Sequence, residues 1–433
     1  MMEADYSVTA KSKAVKASRR AICKFGFAAL IAAAGKRAAQ AYTKMAGTST
    51  QDIASTHINV KPHVAVIGAG AFGGWTAFYL LQGGARVTLL DAWGPGNSRA
   101  SSGGETRVIR GAYGPGQPYT QLAARAMGLW HEHESRWNRK FFFPIGVLWM
   151  VEGDGEFERG SLPVLKDAGI SFEQLSASDL ARRWPQINFA NVEWGIFEPH
   201  SGYLLARSSA QTVVEQVQSA GGEFRPLAAM NENLDGGDLK DGLRLSDGSS
   251  LIADRYVFAC GPWLGKLFPR TVGPHFTATR QDVFFFGTPA GDQRFSENNI
   301  PVWADHGDHF MYGIPGNQGR GFKIADDTRG PEFDPTSGQR TVNDDRLAEA
   351  QRYLAYRFPE LKGAPLVESR VCQYENTTDH NFIIDRHPAS QNVWIVGGGS
   401  GHGFKHGPAL GEMVAKLVLT DASAAPVYRL SRF

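Results

Sequence analysis

His63-Val64-Ala65-Val66-Ile67-Gly68-Ala69-Gly70-Ala71-Phe72-Gly73 is the stretch on which the fold turns. Its first half is a short apolar, β-branched run of the kind that forms a buried strand, and it leads directly into glycines spaced G-x-G-x-x-G. Each glycine answers a separate requirement. Gly68 allows the tight turn, Gly70 lets a pyrophosphate approach the backbone, and Gly73 lets the following helix pack closely on the strand. A helix is expected through Trp75-Thr76-Ala77-Phe78-Tyr79-Leu80-Leu81, and a second strand, Arg86-Val87-Thr88-Leu89-Leu90, ends on Asp91. The pyrophosphate would rest at the positive N-terminus of the helix. Asp91 would accept hydrogen bonds from ribose hydroxyls, and its charge disfavours a 2′-phosphate. A glycine loop alone is a weak signal. Strand, loop, helix, strand and terminal acid at these spacings make it a dinucleotide-binding βαβ unit.

Outward from this unit the pattern continues with Ala77 and Gly84, an extended spacing that resembles FAD-binding proteins more than nicotinamide dehydrogenases, so FAD is the expected cofactor. A chain of 433 residues is long enough for a sizeable core and two domains. A formal net charge of +2 gives no field that points to nucleic acid or an acidic partner. Cysteine usage excludes a disulfide framework: Cys23 lies near the N-terminus, leaving only Cys260 and Cys372 in the body. Cys260, in Tyr256-Val257-Phe258-Ala259-Cys260-Gly261, reads as a small buried hydrophobe. There is no zinc-ligand spacing and no nucleophile elbow, so no metal is expected. His131-Glu132-His133 reads as the solvated face of a helix, and His306 and His309 as loop residues without a nameable partner. The runs Phe141-Phe142-Phe143 and Phe284-Phe285-Phe286 read as core.

The N-terminal segment has a different character. Lys11, Lys13, Lys16, Arg19 and Arg20 form a basic stretch, followed by an apolar run from Phe25 to Ala34, then Lys36, Arg37 and Ala38-Ala39-Gln40-Ala41. This is the layout of a secretory signal over residues 1–41 with a small-residue cleavage site, and the apolar run is too short to span a bilayer. Ser18-Arg19-Arg20-Ala21-Ile22-Cys23-Lys24 resembles the twin-arginine export motif. That route implies the Tat machinery as a partner, transport of a chain already folded around its cofactor, and a periplasmic destination. The other reading is a basic extension or uncleaved anchor on a cytoplasmic protein. Residues 42–61 would form a linker.

Past Asp91 the chain reads Ala100-Ser101-Ser102-Gly103-Gly104-Glu105-Thr106-Arg107-Val108-Ile109-Arg110-Gly111-Ala112-Tyr113. Near the C-terminus come Cys372-Gln373-Tyr374, then Asp379-His380-Asn381-Phe382-Ile383-Ile384-Asp385-Arg386-His387-Pro388, then Gly399-Ser400-Gly401-His402-Gly403-Phe404-Lys405. Together these resemble the monomeric sarcosine oxidase family. That family includes N-methyltryptophan oxidase, pipecolate oxidase and the fructosyl amino acid oxidases, within the wider D-amino acid oxidase superfamily. The resemblance covers about residues 62–425 and is tightest at its two ends. It implies an α/β protein: a doubly wound, Rossmann-like FAD-binding domain of discontinuous segments, with a substrate domain whose mostly antiparallel sheet roofs the flavin. Residues 62–144, 200–264 and 366–433 would form the first domain, and 145–199 and 265–365 the second. A helical stretch near 206–220 and strands at Leu243-Arg244-Leu245 and through Tyr256-Val257-Phe258 fit that division.

What the resemblance implies about chemistry rests on individual positions. A neutral amine gives a hydride equivalent to the flavin, the imine is released and hydrolysed, and O2 is reduced to hydrogen peroxide. Cys372 matches the cysteine that carries FAD through an 8α-thioether, with Arg370 as a basic neighbour to favour the thiolate. Arg110 and Lys405 occupy the substrate-carboxylate positions, where a planar guanidinium and a point charge make a clamp. Arg107 matches an arginine packed on the flavin ring, and Lys323, in Gly321-Phe322-Lys323-Ile324, the lysine that activates O2. Tyr312 falls at an active-site tyrosine position, and His402 and Tyr374 would lie near flavin or substrate. One departure stands out: four residues beyond the lysine, where sarcosine oxidases place a histidine, this chain has Asp327. An acid there resembles the fructosyl amino acid oxidases and favours a more polar or cationic substrate than sarcosine. Two rivals remain, an FAD dehydrogenase that passes electrons to a quinone or carrier protein, and a flavoprotein that has kept the fold but lost turnover.

Overall fold

The strand His63–Ile67 (β1) lies at the heart of a six-stranded sheet in the computed structural model, which describes residues 61–115, 118–230, 234–307 and 309–433. The expected signal, and the linker as far as residue 60, lie outside the described residues. The helix after the glycine loop, α1, spans Ala71–Gln82, and the second strand, β2, spans Arg86–Leu90. The sheet order is Ile383–Arg386, Val393–Gly397, Arg255–Phe258, β1, β2, Glu223–Arg225. All neighbours run parallel except the first pair. Because a parallel sheet is covered on both faces, β1 is apolar along its length but still alternates. Val64 and Val66 pack with Trp75 and Phe78 of α1 and with helices Ala206–Ser219 and Gly407–Thr420. Ala65 and Ile67 face the other way, against Leu243, Leu251, Leu264 and Phe268. A hairpin and a short helix therefore close that second face.

The second layer is an eight-stranded sheet in the order Leu366–Thr377, Phe276–Phe286, Phe322–Asp326, Phe310–Ile314, Val302–His306, Val147–Val151, Trp194–Glu198, Glu173–Ser176. It is antiparallel except where Val302–His306 runs alongside Val147–Val151. The strand Leu366–Thr377, expected with the cofactor layer, belongs here: it pairs with Phe276–Phe286 from Phe276↔Thr377 to Phe286↔Leu366. At 12 residues it is long enough to carry Cys372 on the roof and Tyr374 towards the cofactor loop.

Alternation across this sheet sorts its side chains. Phe284, Phe286, Phe322 and Ile324 point into a core with Trp303 and Leu354 of the helix Asp344–Arg357. Val283, Phe285, Lys323 and Ala325 point to the opposite face, which looks onto a chamber. Of the second phenylalanine run, then, Phe284 and Phe286 are roof core, and Phe285 is buried in the chamber wall.

The histidines also depart from expectation. His133 is buried against Trp75, Phe78 and Trp137 and hydrogen-bonds the Tyr79 hydroxyl at 2.8 Å, so burial lowers its pKa to about 4. His306 closes a strand and pairs with Glu158 at 2.8 Å. His309 meets Asp326 and Glu349, a carboxylate pair already bridged by Arg346. Among the described residues, no helix is long and apolar enough to cross a membrane.

Candidate active site

A cleft of about 1210 Å³ opens where β1 and β2 end, lined by Gly68, Gly70, Ala71, Asp91 and the Gly399–Gly403 loop. Gly68 sits at φ +104°, a conformation glycine adopts without strain, and a Cβ there would strike the Ala259 carbonyl. A Cβ at Gly73 would overlap the Gly68 carbonyl oxygen, so this glycine is what lets α1 close on the loop. A Cβ at Gly70 would come 3.3 Å from the Ser102 hydroxyl, the nearest atom, which leaves its cleft side clear for a ligand. Asp91 accepts from the Ala69 amide at 2.8 Å and from the Trp93 amide at 2.9 Å. It thus braces the loop as well as facing the cleft, and burial raises its pKa against the pull of those amides. At the start of α1 the Ala71 N–H donates to Ser102 at 3.0 Å. A Cβ-free turn, a helix N-terminus and an acid at the end of the second strand fit the diphosphate and ribose of FAD.

This cleft meets a second cavity of about 1660 Å³ under the roof, and both are bounded by Arg107, Tyr374, Gly401 and Phe404. Arg110, Tyr312, Lys323, Asp327, Cys372, His402 and Lys405 all line this chamber. The sequence spreads these residues from position 110 to position 405, and the fold brings them together.

The chamber's charges are unusual. Lys323 is 2% exposed; its ammonium donates to the Thr106 carbonyl at 3.3 Å and lies 5.2 Å from the Tyr312 ring. Burial, then the neighbouring Arg107 charge, lowers its pKa to about 7. Lys405 donates to the Tyr113 hydroxyl and to the His402 carbonyl, each at 3.0 Å. Burial and then Arg110 hold its pKa well below the usual lysine range. The Arg110 guanidinium lies against Tyr113 (4.3 Å) and Trp149 (4.8 Å) and donates to the Ala112 carbonyl. Among the described residues, no carboxylate forms an ion pair with any of these three cations. Asp327 is the nearby acid. It accepts from the Tyr374 hydroxyl at 2.6 Å, and burial raises its pKa while Arg110 and Lys405 oppose the shift. His402 packs against Phe382 and Tyr119, and burial keeps it neutral.

Two further positions complete the geometry. Arg107 donates to the Cys372 sulfur at 3.5 Å, and Gly104 gives its guanidinium room, since a Cβ there would overlap it. The cation at the thiol is therefore Arg107 and not Arg370, whose guanidinium is tied to Glu105 and Glu368. Sequence reasoning assigned no role to Glu198, whose carboxylate accepts from the Gly111 and Ala112 amides, Trp149 Nε1 and the Ser201 hydroxyl. It anchors both the turn after Arg110 and the ring that Arg110 lies against. Glu375 was also missed; it lines the cofactor cleft, accepts from Ser101 at 2.6 Å, and is raised by burial to about 7. Only its place immediately after Tyr374 would have signalled it.

The family model for FAD dependent oxidoreductases (DAO) matches residues 63–417. The chain belongs to the DAO family. This oxidoreductase is 31% identical over 373 residues to monomeric sarcosine oxidase from a Bacillus species, covering 84% of this chain and 93% of the relative. It is 30% identical to N-methyl-L-tryptophan oxidase from Salmonella dublin, covering 86% of this chain and 100% of the relative. Among solved structures, L-proline dehydrogenase from P. horikoshii shares the fold, with a TM-score of 0.73 at 20% identity over 86% of this chain and 98% of that one.

The glycine loop of this DAO protein carries a direct test. Forcing a methyl group between Gly73 and the Gly68 carbonyl introduces overpacking strain of about 1–3 kcal/mol. In a Cys372→Ser background, where no thioether can form, Gly73→Ala is therefore expected to weaken FAD binding about 5- to 150-fold, read by titrating the apoprotein with FAD.

Proposed function

We propose that this DAO-family protein oxidises the C–N bond of a small amino acid or N-alkyl amino acid to an imine, with O2 reduced to hydrogen peroxide. The observation that carries the reading is the chamber beside the cofactor cleft, whose cations Lys323, Lys405 and Arg110 form no ion pair with a carboxylate among the described residues. Taking a charge out of water costs several kcal/mol, so such a site is built for an anion that arrives from outside. The curated relatives are named for oxidising sarcosine and N-methyl-L-tryptophan, both carboxylates with an N-methyl amine.

FAD, held by the glycine loop and Asp91, supplies the two-electron acceptor. Arg110 and Lys405 take the substrate carboxylate, which returns to Lys405 the counter-charge that burial denied it. That anchoring fixes which carbon faces the cofactor. Asp327, oriented by Tyr374, meets the ammonium and receives its proton, and a carboxyl whose pKa burial has raised is the better base for this. The substrate then loses a hydride equivalent from carbon and a proton from nitrogen, and water hydrolyses the C=N product after release. Tyr312, Phe285 and the roof sheet exclude water from the reacting atoms. Lys323 holds its charge where negative charge develops on O2.

Cys372 is proposed to carry FAD through a thioether, and the Arg107 contact at its sulfur supports this. The C–S bond forms with loss of one S–H and one C–H hydrogen, and the two electrons end on O2. The N-terminal leader is proposed to send the protein to the periplasm by the twin-arginine route, on the strength of Arg19-Arg20, the apolar run and Ala39-Gln40-Ala41.

Acid precipitation of the holoprotein is expected to give a yellow pellet, and Cys372→Ser a colourless pellet under a yellow supernatant; a colourless wild-type pellet removes the thioether. Lys323→Met is expected to slow O2 consumption by the reduced holoprotein about 10²- to 10³-fold, with anaerobic reduction by substrate retained. In the wild type this O2 step is expected to fall as pH rises through about 7, because Lys323 is charged only below that value. Unchanged O2 consumption in the variant, with fast turnover on a quinone, would favour the dehydrogenase alternative. N-terminal sequencing of the protein from a periplasmic fraction is expected to begin just after Ala41; an intact N-terminus in the cytoplasm rules out export.

A further inference from the structure

The two clamp cations share one neighbour. Tyr113 lies with its ring 4.3 Å from the Arg110 guanidinium, and its hydroxyl accepts from the Lys405 ammonium at 3.0 Å. The same hydroxyl is 2.8 Å from Nε2 of His406, a fully buried side chain for which the proposed reaction has no use.

Proton counting sets the direction of this chain. An ammonium only donates, so the Tyr113 oxygen accepts from Lys405, and the single hydroxyl proton must go elsewhere. His406 Nε2 is the acceptor at hand, which requires the neutral ring with its proton on Nδ1. Nδ1 makes no hydrogen bond to a side chain or backbone group within ordinary limits, and the Leu122 backbone near the ring is the one influence that favours a proton on it. Every other charged or titratable group facing His406 works against a second proton. Burial is the largest influence, followed by Lys405, His402 and Arg110, while the Tyr119 and Phe382 rings close the remaining sides. A doubly protonated ring would leave the Tyr113 oxygen with two donors aimed at it and its own hydrogen without an acceptor.

We propose that His406 is a positioning residue for carboxylate recognition. By taking the Tyr113 hydroxyl proton it keeps an oxygen lone pair turned towards Lys405, which holds that ammonium charged and at a set distance from Arg110. Without the acceptor, the Tyr113 proton turns to Lys405 and favours the neutral amine. The clamp then loses a charge although neither clamp residue has changed. This inference rests on the reading of Arg110 and Lys405 as the carboxylate site.

The test uses the full-length holoprotein and two probes that carry a carboxylate but no amine, acetate and propionate, titrated by the change in flavin absorbance. His406→Phe removes the acceptor and keeps an aromatic ring; His406→Gln restores an acceptor oxygen. His406→Phe is expected to weaken both probes about tenfold, as loss of one charge-assisted hydrogen bond does. The alkaline limb of probe binding is expected to move to lower pH, and with an amino acid substrate the loss falls on KM and not on kcat. His406→Gln is expected to recover most of the affinity, an outcome that a merely space-filling role for His406 would not produce. If His406→Phe does not fold, Tyr113→Phe, which removes the hydroxyl itself, is expected to show at least the same loss. Arg110→Met runs in parallel. Unchanged probe affinity in His406→Phe or Tyr113→Phe, with a large loss in Arg110→Met, overturns the role of His406 alone. Unchanged affinity in Arg110→Met as well overturns the clamp on which it rests.

Discussion

Keeping cations under the roof without an ion pair to any carboxylate among the described residues is the constraint to which the rest of this fold answers. An isolated ammonium or guanidinium taken out of water is several kcal/mol less stable unless its hydrogens find acceptors. Here the acceptors are neutral: the Thr106 carbonyl for Lys323, the Tyr113 hydroxyl and His402 carbonyl for Lys405, the Ala112 carbonyl and two ring faces for Arg110. Neutral acceptors satisfy hydrogens without cancelling charge. The positive potential therefore survives in the cavity, which a buried salt bridge would have quenched. The depressed pKa values of Lys323 and Lys405 record the remaining imbalance.

The cations come from separate pieces of backbone, whereas most of their acceptors come from one stretch, Thr106 to Tyr113. Arg107 lies in the strand Thr106–Ile109, which pairs with Gly202–Leu205, and Arg110 follows it directly. Lys405 lies just before the helix Gly407–Thr420, and that helix packs so closely on α1 that a Cβ at Gly411 would overlap Trp75. Lys323 comes from the roof, where alternation leaves one polar side chain among apolar neighbours. Glu198 ties the turn after Arg110 to the roof strand that carries Trp149. One carboxylate takes hydrogen bonds from the Arg110 turn, from the Trp149 ring beside it and from Ser201, so its own charge is spent on fixed donors and does not neutralise Arg110. A hydrogen-bonded acid one strand away orients the cation without pairing with it.

The cofactor end of the molecule was legible because its determinants are local. Gly68, Gly70, Gly73 and Asp91 lie within one βαβ unit, and their spacing encodes the geometry directly. The chamber was legible only as a set of positions. Periodicity places Lys323 on a strand, but which face looks inward depends on pairing with Phe276–Phe286 and Phe310–Ile314, partners remote in sequence. The same pairing moved Leu366–Thr377 from the cofactor layer to the roof and separated Phe285 from its neighbours. The contacts that escaped notice are all long-range: Tyr113 to His406 spans 293 positions, Arg107 to Cys372 spans 265, and Glu198 to Gly111 spans 87. Arg370 looked like the partner of Cys372 because it is close in the chain; Glu105, with no sequence signal, claims it.

Asp327 gives the chamber its asymmetry. With cations alone, the cavity would accept any small carboxylate, and a monoanion would satisfy it completely. A half-buried acid hydrogen-bonded to Tyr374 adds a second condition, since a ligand that cannot offer a proton or positive charge leaves that carboxyl without its counterpart. In a low-dielectric cavity the two conditions reinforce each other, because the carboxylate and the ammonium of one molecule arrive together and each offsets the desolvation of the other. On the reading proposed above, discrimination falls on the pairing of charges along the substrate and only weakly on its bulk, for which Phe285, Tyr312 and Phe310 offer apolar walls. An added methylene against such walls changes binding by about 1–3 kcal/mol. A missing ammonium would leave Asp327 with only the Tyr374 hydroxyl beside the clamp, and that imbalance is the one the site is least able to absorb.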